Sequence, residues 1–109
     1  MSRAAVAAMT RNQIPGVPTD FSGVWHAEAG YGYGWLVDTA ERWAYFQGSL
    51  RPIGTLSHPG AGGTNVFIDP QNEIVGVVLE IASVLSEDAE PLLGVFDRLE
   101  NVIYSAIED

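Results

Sequence analysis

From Leu92 onward the apolar residues fall at Leu92, Val95, Phe96, Leu99, Val102, Ile103 and Ala106. This is the spacing i, i+3, i+4, i+7, i+10, i+11, i+14, a continuous stripe along one face of a helix. Asp97, Arg98, Glu100, Asn101 and Ser105 take the other side. The pattern predicts a helix over 86–107, capped by Ser86 or, better, Asp88, with Pro91 tolerated in the first turn. Glu87, Asp88 and Glu90 suit the positive end of its dipole. Upstream the period shortens. Val66-Phe67-Ile68 and the run Glu73 to Ile81 are strand-forming and nearly continuously apolar, and Asp69-Pro70-Gln71-Asn72 between them predicts a hairpin turn. Gly30 to Asp38 alternates glycine with aromatic residues, a period of two that predicts a strand with Tyr31, Tyr33 and Trp35 on one face. Arg42 to Gln47 is a second candidate strand, and Ile53 to Ser57 a short one. Ala4 to Thr10 favours helix, ended by Pro15, Gly16 and Pro18. Thr19 to Gly30 shows no period and reads as loop, with room for a short turn of helix, and with a turn at Asp20-Phe21-Ser22-Gly23.

These elements form a lead-in over 1–30, strands over 31–81 and a helix over 86–107. The expected class is α+β, one domain over 1–109: an antiparallel β-sheet with a long C-terminal amphipathic helix packed on one face. A hydrophobic content of 47% and positive mean hydropathy support a packed core rather than disorder.

Charge removes several functions. Fourteen acidic residues face five basic ones, giving a net charge of −9, and every basic residue is an arginine. Such a chain repels phosphate backbones and anionic lipid heads, so neither nucleic acid nor membrane is an expected partner. Without lysine there is no Schiff-base or phosphate-loop lysine. Without cysteine there is no disulfide, thiolate metal site or thiol nucleophile. Met1 to Met9 lacks the apolar core of a signal peptide, and no segment reaches the roughly 20 apolar residues of a membrane span. A soluble protein is expected, with the cytoplasm favoured.

Candidate chemistry centres on Ser57-His58-Pro59-Gly60-Ala61-Gly62-Gly63. The run of small residues removes bulk, so a ligand or another backbone can approach the main chain. It is equally readable as a flexible hairpin approach with an exposed histidine. Ser57 beside His58 suggests a nucleophile and its base, but neighbouring strand residues point to opposite faces, so the side chains diverge. His26 and Glu28 share a strand-like spacing that could hold a metal; two histidines in the chain make a dedicated site improbable, and no metal or other cofactor is expected. Tyr31, Tyr33 and Trp35 read as aromatic packing under a sheet rather than a ligand platform.

Gly32-Tyr33-Gly34-Trp35, then His58-Pro59-Gly60-Ala61-Gly62-Gly63, then Phe67-Ile68-Asp69-Pro70, the following strand and the closing helix resemble the last third of the serine β-lactamase, penicillin-binding protein and esterase superfamily. The resemblance is to its class C-like branch, and Met9 to Gly16 resembles the segment before that part. It implies that His58-Pro59-Gly60 is the third, strand-borne motif, with His58 a cation or proton shuttle beside the nucleophile. It also implies that Ala61 gives its backbone N–H to the oxyanion hole, with Pro59, Gly60 and Gly62 contacting substrate. Pro59 departs from the commoner hydroxyl or small residue. The implied substrates are esters, amides or β-lactams.

The nucleophile of that family, a serine three residues before a lysine, is absent, because the chain has no lysine. The chain is therefore expected to be a C-terminal fragment or truncated relative, inactive alone. A sheet lacking its N-terminal strands keeps an open edge, which implies a homo-oligomer or a complementary N-terminal fragment as partner. The alternative is a non-catalytic oligomerisation or binding module using the sheet edge and the C-terminal helix.

Overall fold

The computed structural model describes residues 1–21, 23–44, 46–79 and 90–107. The order is α1 (Arg3–Thr10), β1 (Thr19–Phe21), β2 (Val24–His26), β3 (Leu36–Val37), β4 (Leu56–Gly60), β5 (Thr64–Asp69), β6 (Ile74–Val78) and α2 (Glu90–Ser105). β1 and β2 form a hairpin, and the other strands form a four-stranded antiparallel sheet in the order β3-β4-β5-β6. The class is α+β, as expected from the order of periods.

Alternation along β5 separates the two faces of this sheet. Asn65, Phe67 and Asp69 are buried, whereas Thr64, Val66 and Ile68 are half-buried. The register places Ser57 opposite Phe67 and Leu56 opposite Ile68, so Ser57 shares the first face and Leu56 the second. α2 covers the first face: Tyr104 lies 6.4 Å ring to ring from Phe67. The apolar core there joins Leu36, Ala44, Phe46 and Phe96. α1 lies over the second face, where Val6 and Met9 line a groove with Trp35, Leu56 and Ile68. Ser2 starts α1 by accepting from the Ala5 N–H at 3.2 Å.

The helices and the β5–β6 hairpin fall where propensity, periodicity and turn chemistry predict them, with Asp69 accepting from the Gln71 and Asn72 N–H groups at the turn. The predicted α2 cap and the end of the last strand at Ile81 lie outside the described residues. The short strand expected over Ile53 to Ser57 starts only at Leu56 and runs on to Gly60. Four further expectations are corrected. The stretch Gly30 to Asp38 is not one strand; it reverses on itself, with Tyr31 bridged to Leu36 and the Gly32 N–H bonded to the Trp35 carbonyl at 2.8 Å. Gly34 at φ +79 supplies the left-handed residue this reversal needs. Tyr31 and Tyr33 are consequently exposed rather than packed under the sheet. No strand forms at Arg42 to Ala44 or at Phe46 and Gln47: the Gln47 side chain takes the Ala44 N–H at 2.8 Å, replacing a strand neighbour. The stretch Thr19 to Gly30 holds the β1–β2 hairpin rather than loop alone, because Asp20 closes the turn by accepting from the Gly23 N–H at 2.9 Å.

The fourth correction concerns α2. Glu100, assigned to the solvent side by its charge, is fully buried, while Val102 is 67% exposed and Leu99 40%. The buried side runs through Phe96, Glu100 and Tyr104, and the stripe of Leu99 and Val102 faces out. Polar partners, described next, outweigh the apolar pattern.

Candidate active site

β3 pairs with β4 only through Leu36↔Ser57 and Val37↔Leu56. Beyond Ser57, that border of β4 has no strand neighbour among the described residues, and His58, Pro59 and Gly60 occupy it while pairing with Val66, Asn65 and Thr64 of β5 on the other side. Trp35 flanks the opening, its ring edge-on to the His58 imidazole at 6.4 Å. Proline suits such a position, since a strand border demands no N–H from it. A three-residue turn then carries the chain into β5. The Gly63 N–H reaches the Gly60 carbonyl at 3.0 Å, and Gly63 at φ +93 completes the turn. Ala61 and Gly62 sit exposed on it, His58 is exposed, and Pro59 and Gly60 are half-buried. The proposed residues are thus contiguous along one border and one turn.

Ser57 points the other way. It is fully buried, and its Oγ accepts from Arg51 Nη2 on the face covered by α2. His58 and Ser57 cannot act as a pair. His26 and Glu28 also part: His26 Nδ1 lies 3.7 Å from Glu41, whereas Glu28 accepts from Asn12 Nδ2 at 2.9 Å and the Gly16 N–H at 3.1 Å.

Behind the border lies a buried ionic cluster that the sequence reading did not identify. Arg51, 1% exposed, gives Asp38 two bonds, from Nε to Oδ2 at 2.5 Å and from Nη2 to Oδ1 at 2.7 Å. Its Nη1 reaches Glu100 at 3.2–3.3 Å and the Phe46 carbonyl at 3.2 Å. Gln47 Nε2 donates to Asp38 at 2.8 Å, and the Gly48 N–H to Glu100 at 2.9 Å. On the surface side, Asp97 and Asn101 accept from the Ser49 and Leu50 N–H groups at 2.7 and 3.2 Å. α2 is therefore held to the 46–51 loop largely by polar side chains.

Titration follows these contacts. Burial opposes the Arg51 charge, but the hydrogen bonds and charges of Asp38 and Glu100 outweigh it and raise the guanidinium further. Burial raises the Glu100 carboxyl, and Arg51 and the Gly48 N–H offset this only in part. Asp69 is held below its usual range: burial works against this, but the Asn72 side chain and backbone, the Tyr104 hydroxyl and the Gln71 N–H prevail. Tyr104 is raised, by burial and by its bond to Asp69 at 3.0 Å.

The signal for the cluster was present but faint. Glu100 stands four residues from both Phe96 and Tyr104, which places it on their helical face. Arg51 in a Pro-containing loop carried no such sign.

Chemically, the border offers main-chain groups, an imidazole, an exposed turn and the Thr64 hydroxyl beside Gly60, without the lysine that a Ser-x-x-Lys nucleophile requires. Among the described residues no group of three His, Asp or Glu side chains could hold a metal ion.

Comparison with known proteins bears on the fold. No family model matches the sequence, and no curated protein matches it significantly. Among solved structures, the chain is similar to the crystal structure of a β-lactamase, Mb2281c, from Mycobacterium bovis, with a TM-score of 0.76 at 21% identity. The match covers 95% of this chain but 38% of that one. The fold is therefore β-lactamase-like, and the chain spans well under half the length of this neighbour. No helix among the described residues is long and apolar enough to cross a membrane.

Proposed function

We propose that the chain is the C-terminal part, or a shortened relative, of a β-lactamase-like serine hydrolase acting on esters, amides or β-lactams. The observation that carries this is the open border of β4 at His58-Pro59-Gly60, on a fold shared with a β-lactamase more than twice as long. In this reading the Ala61 N–H polarises the substrate carbonyl and stabilises the oxyanion. Pro59, Gly60 and Gly62 let the substrate lie along the strand, and His58 serves as proton shuttle beside a serine from a complementary N-terminal segment. The second face of the sheet supports such a partner, because Val75, Val77 and Leu79 are 67%, 61% and 83% exposed there. No cofactor takes part.

A fluorophosphonate probe tests the proposal. The chain alone should not label; a mixture with a complementary N-terminal segment bearing the Ser-x-x-Lys helix should label on that segment. Ala61→Pro is the incisive variant, since proline suits the second position of this turn and removes only the N–H. It should lower turnover of the completed assembly by about 10²–10³-fold, the effect of losing one oxyanion donor, with an unchanged melting temperature. Labelling of the isolated chain, or full activity in Ala61→Pro, refutes the assignment.

The second reading, a non-catalytic association module, is favoured by the outward apolar residues Leu99 and Val102 of α2. Self-association without labelling under either condition would select it.

A further inference from the structure

We propose that the groove between α1 and the sheet receives the apolar arm of an ester whose carbonyl meets the His58–Gly60 border; this rests on the hydrolase reading above. The groove has a volume of about 300 Å³ and is lined by Met1, Val6, Met9, Thr10, Trp35, Leu56 and Ile68. That size lies at the lower end of small-ligand sites.

Three observations tie it to the border. Leu56 precedes His58 by two positions on β4, so the two share a face about 6.6 Å apart along the strand. Trp35 is common to both, forming a wall of the groove and lying 6.4 Å edge-on to His58. Ile68, paired with Leu56, continues the same apolar surface across β5.

The lining also selects the chemistry of the arm. No charged side chain contributes to it, and the Thr10 hydroxyl is already engaged, donating to the Val6 carbonyl at 2.9 Å. A charged or strongly polar arm would lose its hydration there without compensation. An alkyl chain gains from leaving water, and methionine adapts to its shape. A second groove of about 320 Å³ also touches His58, but it is walled by β4, β5, β6 and Leu79, and no helix among the described residues lines it. The α1 groove is bounded by both helix and sheet. The structure thus favours neutral alkyl or acyl esters over substrates with charged side arms.

Met1 and Met9 are the chain's only methionines, and both line the groove. Carbon-13 methyl labelling of methionine therefore reports on this groove alone. Titration with 1-octanol, neutral and unreactive, should shift the Met9 methyl resonance saturably. Val6 is 46% exposed at the mouth, so Val6→Trp can obstruct entry without disturbing a core, and it should weaken the response at least tenfold. No Met9 shift up to the solubility limit, or an equal shift in Val6→Trp, overturns the proposal. So does displacement of octanol by a complementary N-terminal segment, which would make the groove part of an assembly interface. The hydrolase reading fails separately: octanol binding in an assembly that never labels with fluorophosphonate preserves the apolar site and removes the ester from it.

Discussion

Arg51 gathers the polar interior of this protein, and its environment makes it hard to replace. Its guanidinium bridges Asp38 and Glu100 with no exposed surface on any of the three side chains. Removing it strands two carboxylates in the interior. Arg51→Ala should therefore cost about 3–5 kcal/mol, measured by urea unfolding. Arg51→Lys keeps the charge but lacks the planar fork and should recover only part of that loss. Asp69 gives a pH signature. Its carboxyl is lowered in the folded state, so its contribution is present above the ordinary value of 3.8 and lost as pH falls through the folded value. Glu100, raised by burial, has the opposite sign and favours the fold at low pH. Asp69→Asn should be less stable than the parent at neutral pH, with the gap closing on acidification below about 3.8. A gap that does not depend on pH would contradict the assignment. At this scale the divergence of Ser57 and His58 was readable, because strand alternation is local. The Arg51 contacts were not, because its carboxylate partners lie 13 and 49 residues away in the chain.

The two helices and the β5–β6 hairpin were readable as elements, since each carries its own propensity, period or turn chemistry. The orientation of α2 was not. Its apolar stripe is regular, yet the helix turns Glu100, Asp97 and Asn101 toward the 46–51 loop, where backbone N–H groups require acceptors. Substitutions distinguish the two orientations. Val102→Lys should change stability by no more than about 0.5 kcal/mol, as for other exposed sites. Glu100→Ala should cost several times more, because Arg51 and the Gly48 N–H lose an acceptor. The reverse ranking by thermal unfolding would restore the apolar stripe as the buried face. The aromatic-glycine stretch misled for a related reason. Alternation was present, but glycine at the alternate positions let the chain reverse before a strand could lengthen.

For the whole molecule the governing quantity is the apolar surface left on the second face of the sheet. Val75, Val77 and Leu79 follow one another on the same side of β6 and its continuation, and the strand order leaves β6 without an outer neighbour among the described residues. Open apolar borders recruit other chains. Val77→Lys should lower self-association measured by sedimentation while leaving the melting temperature nearly unchanged. Unaltered association would move the contact elsewhere, with the outer side of α2 the next surface to test. The border at His58 was readable from proline, glycine and their order; that no described strand pairs with it beyond Ser57 depended on how short β3 is, which nothing in its own residues announces. The ionic cluster has one more consequence. Since Arg51 ties loop to helix, neither can open while the other stays closed without exposing a stranded charge. Amide protons from both segments should then exchange with solvent at a common rate, as one cooperative unit rather than as a fraying end.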